Sequence, residues 1–251
     1  MMKDVAAVIL AAGKGTRMKS DKAKVLHEIS GIPMIRYVVE TALAVVPNVV
    51  VVIGYQGEQV RQSLVDYPKL RFVIQEEQLG TGHAVMTALP KLDMAIKDVI
   101  VLCGDTPLLR KGTLHSLINE HKEGEKKLTL LATKLEKPTG YGRILLDSDG
   151  NVCRIVEESD ATQEQRNIET VNTGTYCINV DYLKMFLPTL GADNAQGEFY
   201  LTDIVEGVYQ DNVPSYIIMV EDSFEALGVN TKKDLVIADR HWLIRARESG
   251  D

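Results

Sequence analysis

Four short apolar runs, rich in β-branched residues and separated by helical patterns, constrain this chain more than any other feature. Residues 5–10, 49–53, 72–74 and 99–102 are apolar without alternation. Strands buried on both faces of a parallel sheet read this way. After the first run, Pro33 suits the first position of a helix, and Ile35, Val38, Val39 and Ala42 follow at i, i+3, i+4 and i+7 spacing. Residues 56–65 and 82–89 predict two further helices. The βαβα order predicts an α/β fold, a mostly parallel sheet with helices on both faces. Ligands of such sheets bind beyond the carboxyl ends of the strands. Chemistry is therefore expected in the loops after Leu10 and Leu102.

The second half alternates less regularly. Residues 141–146 and 152–157 flank Asp147-Ser148-Asp149-Gly150-Asn151, a hairpin signal. Residues 171–180 read as a strand, and 199–210 and 231–247 as helices. No segment reads as a linker, and no repeat recurs at a period of about 20–50 residues. A smaller β-rich lobe built onto the same sheet fits this pattern better than a separate domain.

Charge excludes some partners. With 28 Lys and Arg against 35 Asp and Glu, the net charge is −7. A bulk electrostatic grip on nucleic acid or an anionic membrane is excluded on that balance, while a local cluster of cations can still hold a phosphorylated small molecule. The apolar run at 5–12 is far short of the roughly 20 residues a membrane-spanning helix needs. Asp4 interrupts its start and Gly13-Lys14-Gly15-Thr16-Arg17 follows it, which is not the pattern of a secretory signal. Three cysteines, Cys103, Cys153 and Cys177, fit a reducing cytoplasm rather than a disulfide framework.

Several motifs carry chemistry. Leu10-Ala11-Ala12-Gly13-Lys14-Gly15-Thr16-Arg17-Met18 follows the first strand, with Lys24 shortly after. Glycines there let backbone N–H groups approach a phosphate, and Arg17 and Lys24 add the charge that a triphosphate needs. A plain strand-to-helix turn with surface cations is the alternative. The spacing matches neither the standard P-loop nor the dinucleotide fingerprint. Cys103-Gly104-Asp105 ends the fourth run, where a carboxylate suits a hard cation or, alternatively, initiates a turn before Thr106-Pro107. Gln75 and the amides near Gly80 and Thr81 can read a base edge, while a turn at Gly80 and a helix cap at Thr81 would also account for them. His83 reads as structural or substrate-adjacent rather than as a general base. Glu157 and Asn172 end or interrupt apolar runs, where a buried polar side chain needs a partner; sugar hydroxyls and protein backbone serve equally. Asn230 and Thr231 precede the last helix, and either can cap it. The tyrosines and methionines read as core or surface filler.

Together these motifs resemble the sugar-phosphate nucleotidyltransferases. Residues 10–18 carry the pattern of that superfamily. Gln-Leu-Gly-Thr-Gly-His-Ala at 78–84, Pro-Thr-Gly-Tyr-Gly-Arg-Ile at 138–144 and Asn-Ala-Gln-Gly-Glu-Phe-Tyr-Leu-Thr-Asp at 194–203 resemble the uridyltransferase halves of the bacterial bifunctional enzymes that make UDP-N-acetylglucosamine. The resemblance covers about residues 4–235. It implies a Rossmann-like nucleotidyltransferase fold and one domain over 1–251, with a nucleotide-binding part at about 1–135, a sugar-binding part at about 136–230 and a C-terminal helix at about 231–247. It implies a Mg2+-dependent reaction of UTP with N-acetylglucosamine 1-phosphate, giving UDP-N-acetylglucosamine and pyrophosphate for cell-envelope synthesis in the cytoplasm. By the same resemblance Leu10, Ala11, Ala12, Gly13, Lys24, Gln75, Gly80, Thr81, Cys103 and Gly104 hold the nucleotide. Arg17, Lys24 and Asp105 are catalytic, Asp105 and Asn230 hold Mg2+, and Gly142, Glu157 and Asn172 hold the amino sugar. Cys103 departs from the residue that relatives often carry. The family's other half, a trimerising left-handed β-helix that acetylates glucosamine 1-phosphate, has no counterpart in these 251 residues. No acetyl transfer is expected, and no oligomeric state is assigned.

The implied chemistry needs no general base, because a phosphate nucleophile is already ionised at neutral pH. The protein's work is to position two anions and neutralise their charge. Two alternatives stay open: a nucleotidyltransferase for another sugar 1-phosphate, and a non-catalytic nucleotide-sugar-binding protein of the same fold. The presence of Arg17, Lys24, Asp105 and Asn230 argues against the second.

Overall fold

The structure, a computed structural model, describes residues 2–124, 126–213 and 215–249. β1 (Val5–Ala11) leads through two short strands, β2 (Glu28–Ile29) and β3 (Ile32–Pro33), to α1 (Met34–Leu43). β4 (Asn48–Ile53), α2 (Gly57–Ser63), β5 (Arg71–Ile74), α3 (Thr81–Ala88), β6 (Asp98–Cys103) and α4 (Lys111–Glu123) continue the alternation. Then come β7 (Leu128–Lys134), the hairpin β8 (Arg143–Leu146) and β9 (Val152–Val156), and β10 (Thr170–Asn179). α5 (Val180–Phe186), α6 (Ile204–Gln210), β11 (Tyr216–Met219) and α7 (Lys232–Ser249) complete the order.

The main sheet runs β11-β7-β10-β6-β1-β4-β5, with the β8–β9 hairpin branching from β10. β6, β1, β4 and β5 pair in parallel, as do β7 and β11. β10 is antiparallel to both of its neighbours on this path, β6 and β7. That single reversal decides where the site lies. Loops leaving β1, β5 and β6 emerge at one edge, and the reversed β10 brings its beginning to that same edge, since Tyr176 pairs with Val101 and earlier residues lie beyond Cys103.

Two apolar layers sandwich the sheet. Val5, Ala7 and Ile9 of β1 face α1, α2 and α4, through residues such as Val38, Val60 and Leu114. Ala6 and Val8 face α3, α5 and α6, through Val85, Leu183 and Val205. A third cluster joins Ile29, Met34, Tyr37, Leu108, Val229 and Ala238, with Leu235 and Trp242 of α7 packed against it.

The mostly parallel sheet, the helices on both faces and the hairpin lobe on the same sheet agree with the sequence reading. Some local expectations fail for physical reasons. Pro33 is not the first residue of a helix; its extended backbone pairs with Glu28, and α1 starts at Met34. β5 is not apolar on both faces, because it is the edge strand and leaves Ile74 52% exposed. Val180 opens α5 instead of ending β10. The 199–210 segment is helical only from a single turn at Leu201–Asp203 onward. Among the described residues no helix is long and apolar enough to cross a membrane, and the three cysteines are unpaired thiols.

Candidate active site

Two adjoining cavities, of about 240 and 260 Å³, open at the carboxyl edge of the sheet and share Leu10, Thr81, Cys103 and Asp105 as a common wall. The first takes Ala11, Ala12, Gly13, Lys24, Gln75 and Gly80. The second takes Arg17, Gly142, Glu157, Asn172 and Asn230. The structure thus brings together every residue expected at the site except Gly104. That glycine lines neither cavity; its N–H donates to the Leu10 carbonyl at 2.9 Å, and a Cβ there would lie 2.9 Å from the same oxygen. Gly104 keeps the ends of β1 and β6 in contact. Arg17, expected at the nucleotide phosphates, lines the second cavity.

The charged residues meet where the cavities join. The Lys24 ammonium donates to Asp105 Oδ2 at 2.5 Å and to Asn230 Oδ1 at 3.1 Å. Arg17 Nη2 donates to the same Asn230 oxygen at 2.8 Å. Gly15 makes this possible: its φ is +72°, and a Cβ there would fall 2.5 Å from Lys24 Cβ. Asn230 is held from the other side. Thr231, not Asn230, caps α7: its hydroxyl accepts from Asp234 N–H at 3.2 Å, and Asp234 Oδ2 accepts from the N–H groups of Asn230 and Thr231. The backbone N–H of Val229 donates to the Asp105 carbonyl at 2.9 Å, so the two oxygen-bearing loops are tied together.

Among the described residues no group of three or more His, Cys, Asp and Glu is arranged to hold a metal. The Asp105–Asn230 pair nevertheless fits a hard divalent cation. One anionic and one neutral oxygen converge on a single position, and a cation, the Lys24 ammonium, lies there. Mg2+ commonly takes only one or two protein oxygens and completes its shell with phosphate and water.

Also lining the first cavity, Gln75 is buried, and its Nε2 donates to the Gly80 carbonyl at 3.1 Å and to His83 Nδ1 at 3.0 Å. The His83 ring is thereby an acceptor at Nδ1 and a partner of Gln75. Thr81 is the first residue of α3 rather than its cap, and its hydroxyl accepts from the Leu201 N–H at 3.0 Å. Gly80, with φ +107°, packs where a Cβ would meet the Phe199 carbonyl at 2.6 Å. The segment before Leu201 is thus laced to the nucleotide-side loop: Phe199 N–H donates to Leu79 O, and Gly82 N–H to Phe199 O, both at 2.8 Å. The next residues, Leu201 and Thr202, line the other cavity, and upstream Ala195 N–H donates to Asp160 at 2.8 Å. Burial pushes the Cys103 thiol up to about 12, helped by the charge of Asp105, so it stays protonated and is no nucleophile.

In the second cavity, burial raises the Glu157 carboxyl above the usual carboxylate range, against a hydrogen bond from the Thr202 hydroxyl at 3.3 Å. Asn172 Nδ2 donates to the Tyr176 hydroxyl at 2.6 Å, and Asn172 Oδ1 accepts from Gly174 N–H at 3.1 Å. Asn172 thus has a backbone partner in Gly174 and a side-chain partner in Tyr176, as the protein-bonded reading expects. Tyr141, Tyr176 and Thr202 also line this cavity and were not singled out in the sequence. Tyr141 and Thr202 lie inside quoted motifs, whereas Tyr176 sits within an apolar strand that gives it no signal; it is buried in the core, as its reading as core filler expects, and it lines the cavity as well.

An edge with this shape can hold an extended polyanion on one side, a polar ring on the other, and a cation cluster between them. Residues 7–164 match the MobA-like NTP transferase domain family, which is more than half of the chain. The chain is 47% identical over 240 residues to the "Bifunctional protein GlmU" of Geobacter metallireducens, covering 95% of this chain and 50% of that protein. It is 44% identical over 247 residues to the protein of that name from Acetivibrio thermocellus, covering 98% and 53%. The Desulfotalea psychrophila protein of that name is 42% identical over 242 residues, covering 96% and 71%. The chain thus spans about half the length of the first two relatives. A family match over most of the sheet and relatives at this identity show that the chain belongs to the MobA-like NTP transferase domain family, with similarity to proteins named "Bifunctional protein GlmU".

Proposed function

We propose that this chain transfers a uridylyl group from UTP to N-acetylglucosamine 1-phosphate with Mg2+, giving UDP-N-acetylglucosamine and pyrophosphate as a cytoplasmic step toward cell-envelope precursors. One observation carries the reading: the cation cluster of Arg17 and Lys24, with Asp105 and Asn230, straddles the junction of the two cavities. A phosphate on a sugar in one cavity would meet the α-phosphate of a nucleotide in the other at that junction. The relatives' kinship supports the same assignment.

An oxygen of the sugar phosphate attacks the α-phosphorus in line, the bond to the bridging oxygen breaks, and pyrophosphate leaves. No proton has to be removed from the nucleophile. Arg17 and Lys24 offset the repulsion between the two anions and the charge on the leaving group. Asp105 and Asn230 would hold Mg2+, which when bound supplies further neutralisation of phosphate charge. The backbone of Leu10 to Gly13, with Gln75, Gly80, Thr81 and Cys103, encloses the nucleoside; Gly142, Glu157 and Asn172 receive the sugar. In this reading residues about 1–135 serve the nucleotide and about 136–230 the sugar, within one domain.

The test is pyrophosphate release from UTP and N-acetylglucosamine 1-phosphate, with and without Mg2+, and with CTP, dTTP and glucose 1-phosphate as competitors. Release that requires both substrates and the metal is expected. Preference for another pair would reassign the substrates, and binding without release would favour a non-catalytic role.

A further inference from the structure

The reversed strand β10 carries an irregularity inside the second cavity. Against β7, Asn172 pairs with Ala132 and Tyr176 with Leu130, so four steps along one strand face two along the other. Gly174 sits within this bulge at φ +76°. Asn172 and Tyr176 both line the cavity, beside Glu157 and Thr202.

The hydrogen bonds within the bulge settle which atoms donate. The Gly174 N–H can only donate, and it meets Asn172 Oδ1 at 3.1 Å. That fixes the orientation of the amide, so the atom 2.6 Å from the Tyr176 oxygen is Nδ2, itself only a donor. The phenol oxygen therefore accepts, and its own proton is left over. Among the described residues no acceptor takes that proton. Burial, and next the charge of Glu157, hold the phenol well above its ordinary pKa, so the proton is retained.

We propose that the Tyr176 hydroxyl donates to the 2-acetamido carbonyl of the bound sugar and selects N-acetylated over unacetylated sugars. This rests on the reading of the cavity as the sugar subsite. A ring hydroxyl brings its own proton and can be satisfied by the Glu157 carboxylate. An amide carbonyl brings none and needs a donor, whereas the ammonium of an unacetylated amino sugar would present a second donor to the Tyr176 proton.

Calorimetric binding of UDP-N-acetylglucosamine, UDP-glucosamine and UTP to the wild type and to Tyr176→Phe tests it without requiring turnover. The wild type is expected to bind the acetylated nucleotide-sugar more than tenfold tighter than the unacetylated one. Tyr176→Phe should weaken the acetylated ligand by about five- to tenfold, leave UTP within about twofold, and leave UDP-glucosamine unchanged or tighter. An equal loss on all three ligands, or no loss on the acetylated one, overturns the proposal. If the variant melts far below the wild type, the wild-type ratio decides, and a ratio under about twofold overturns it. Failure of the transfer reading is separate: it would show as absent pyrophosphate release with this binding selectivity intact.

Discussion

Replacing the Asp105 carboxylate by an amide keeps its shape and removes its charge. Asp105→Asn should lower turnover by about a thousandfold or more if the carboxylate holds Mg2+, with little change in melting temperature; pyrophosphate release and a thermal melt check the two halves of that statement. Glu157 gives a prediction of opposite kind. Its folded-state pKa is raised by burial above the ordinary 4.5, so the folded state binds more protons than the unfolded one. The associated penalty is absent below about 4.5 and grows as pH rises toward and through the folded value. Glu157→Gln should therefore raise the melting temperature at pH 7–8, by about 2–4 °C for each kcal/mol regained in a chain of this size, and the gain should vanish below about pH 4.5. A gain that persists in acid would show a cause other than the charge. At this scale the sequence was informative where a residue type is rare in its setting: Arg17, Lys24 and Asp105 beside apolar strands announce themselves. The packing that demands Gly104, against Leu10 O, is a contact between strands far apart in the chain and leaves no local signal. Tyr176 gives no signal because one tyrosine among apolar neighbours is ordinary, and its place beside the cavity depends on Glu157 and Thr202, which are distant in the chain.

Between strands, the closest constraint at the site joins the bulge of β10 to the end of β6. A Cβ on Gly174 would meet Cys103 Sγ at 2.8 Å, in a backbone conformation that L side chains rarely adopt. Gly174→Ala should cost about 1–2 kcal/mol for the left-handed backbone alone, and more for the contact. Cys103→Ala removes the sulfur but not the backbone cost, so the double variant should be more stable than the two single losses summed, by about 1 kcal/mol. Chemical denaturation of the four proteins measures this coupling; strict additivity would place the whole cost in the backbone. The parallel core was legible because β1, β4 and β6 are continuous apolar runs. The reversal at β10, the pairing of β7 with β11, and the helices α4 and α5 were not. Strand direction is fixed by partners, and α4 has only Leu114, Leu117, Ile118 and His121 buried along a polar helix.

Over the whole molecule, α7 ties distant parts of the chain to the site. Trp242, the single tryptophan, lies against Tyr37 with ring centroids 4.4 Å apart. Asp239 accepts from the Ser30 N–H at 2.6 Å. The same cluster holds Leu108, on the loop that follows Asp105, and Val229, which precedes Asn230. Tryptophan fluorescence should therefore report unfolding at the same denaturant midpoint as far-UV circular dichroism, and Trp242→Ala should destabilise the chain by about 2 kcal/mol, less than a fully buried tryptophan would. An earlier fluorescence transition would mean that α7 undocks on its own.

The ammonium of Lys24 lies between Asp105 and Asn230, tethered by its own side chain. If Asp105 and Asn230 hold Mg2+ as proposed, an ion arriving alone must evict the ammonium, and the evicted charge, anchored to its own backbone, cannot diffuse away. An ion arriving already attached to a triphosphate brings the evicted ammonium a new anionic partner. Binding of metal and nucleotide should then be mutually reinforcing. Calorimetry with Mg2+ alone should show weak binding that tightens about tenfold or more when UTP is present. In Lys24→Ala, with no ammonium to evict, the bare ion should bind more tightly than to the wild type and the reinforcement should shrink. The lysine would in that way set the order in which the reactants assemble before any bond is made.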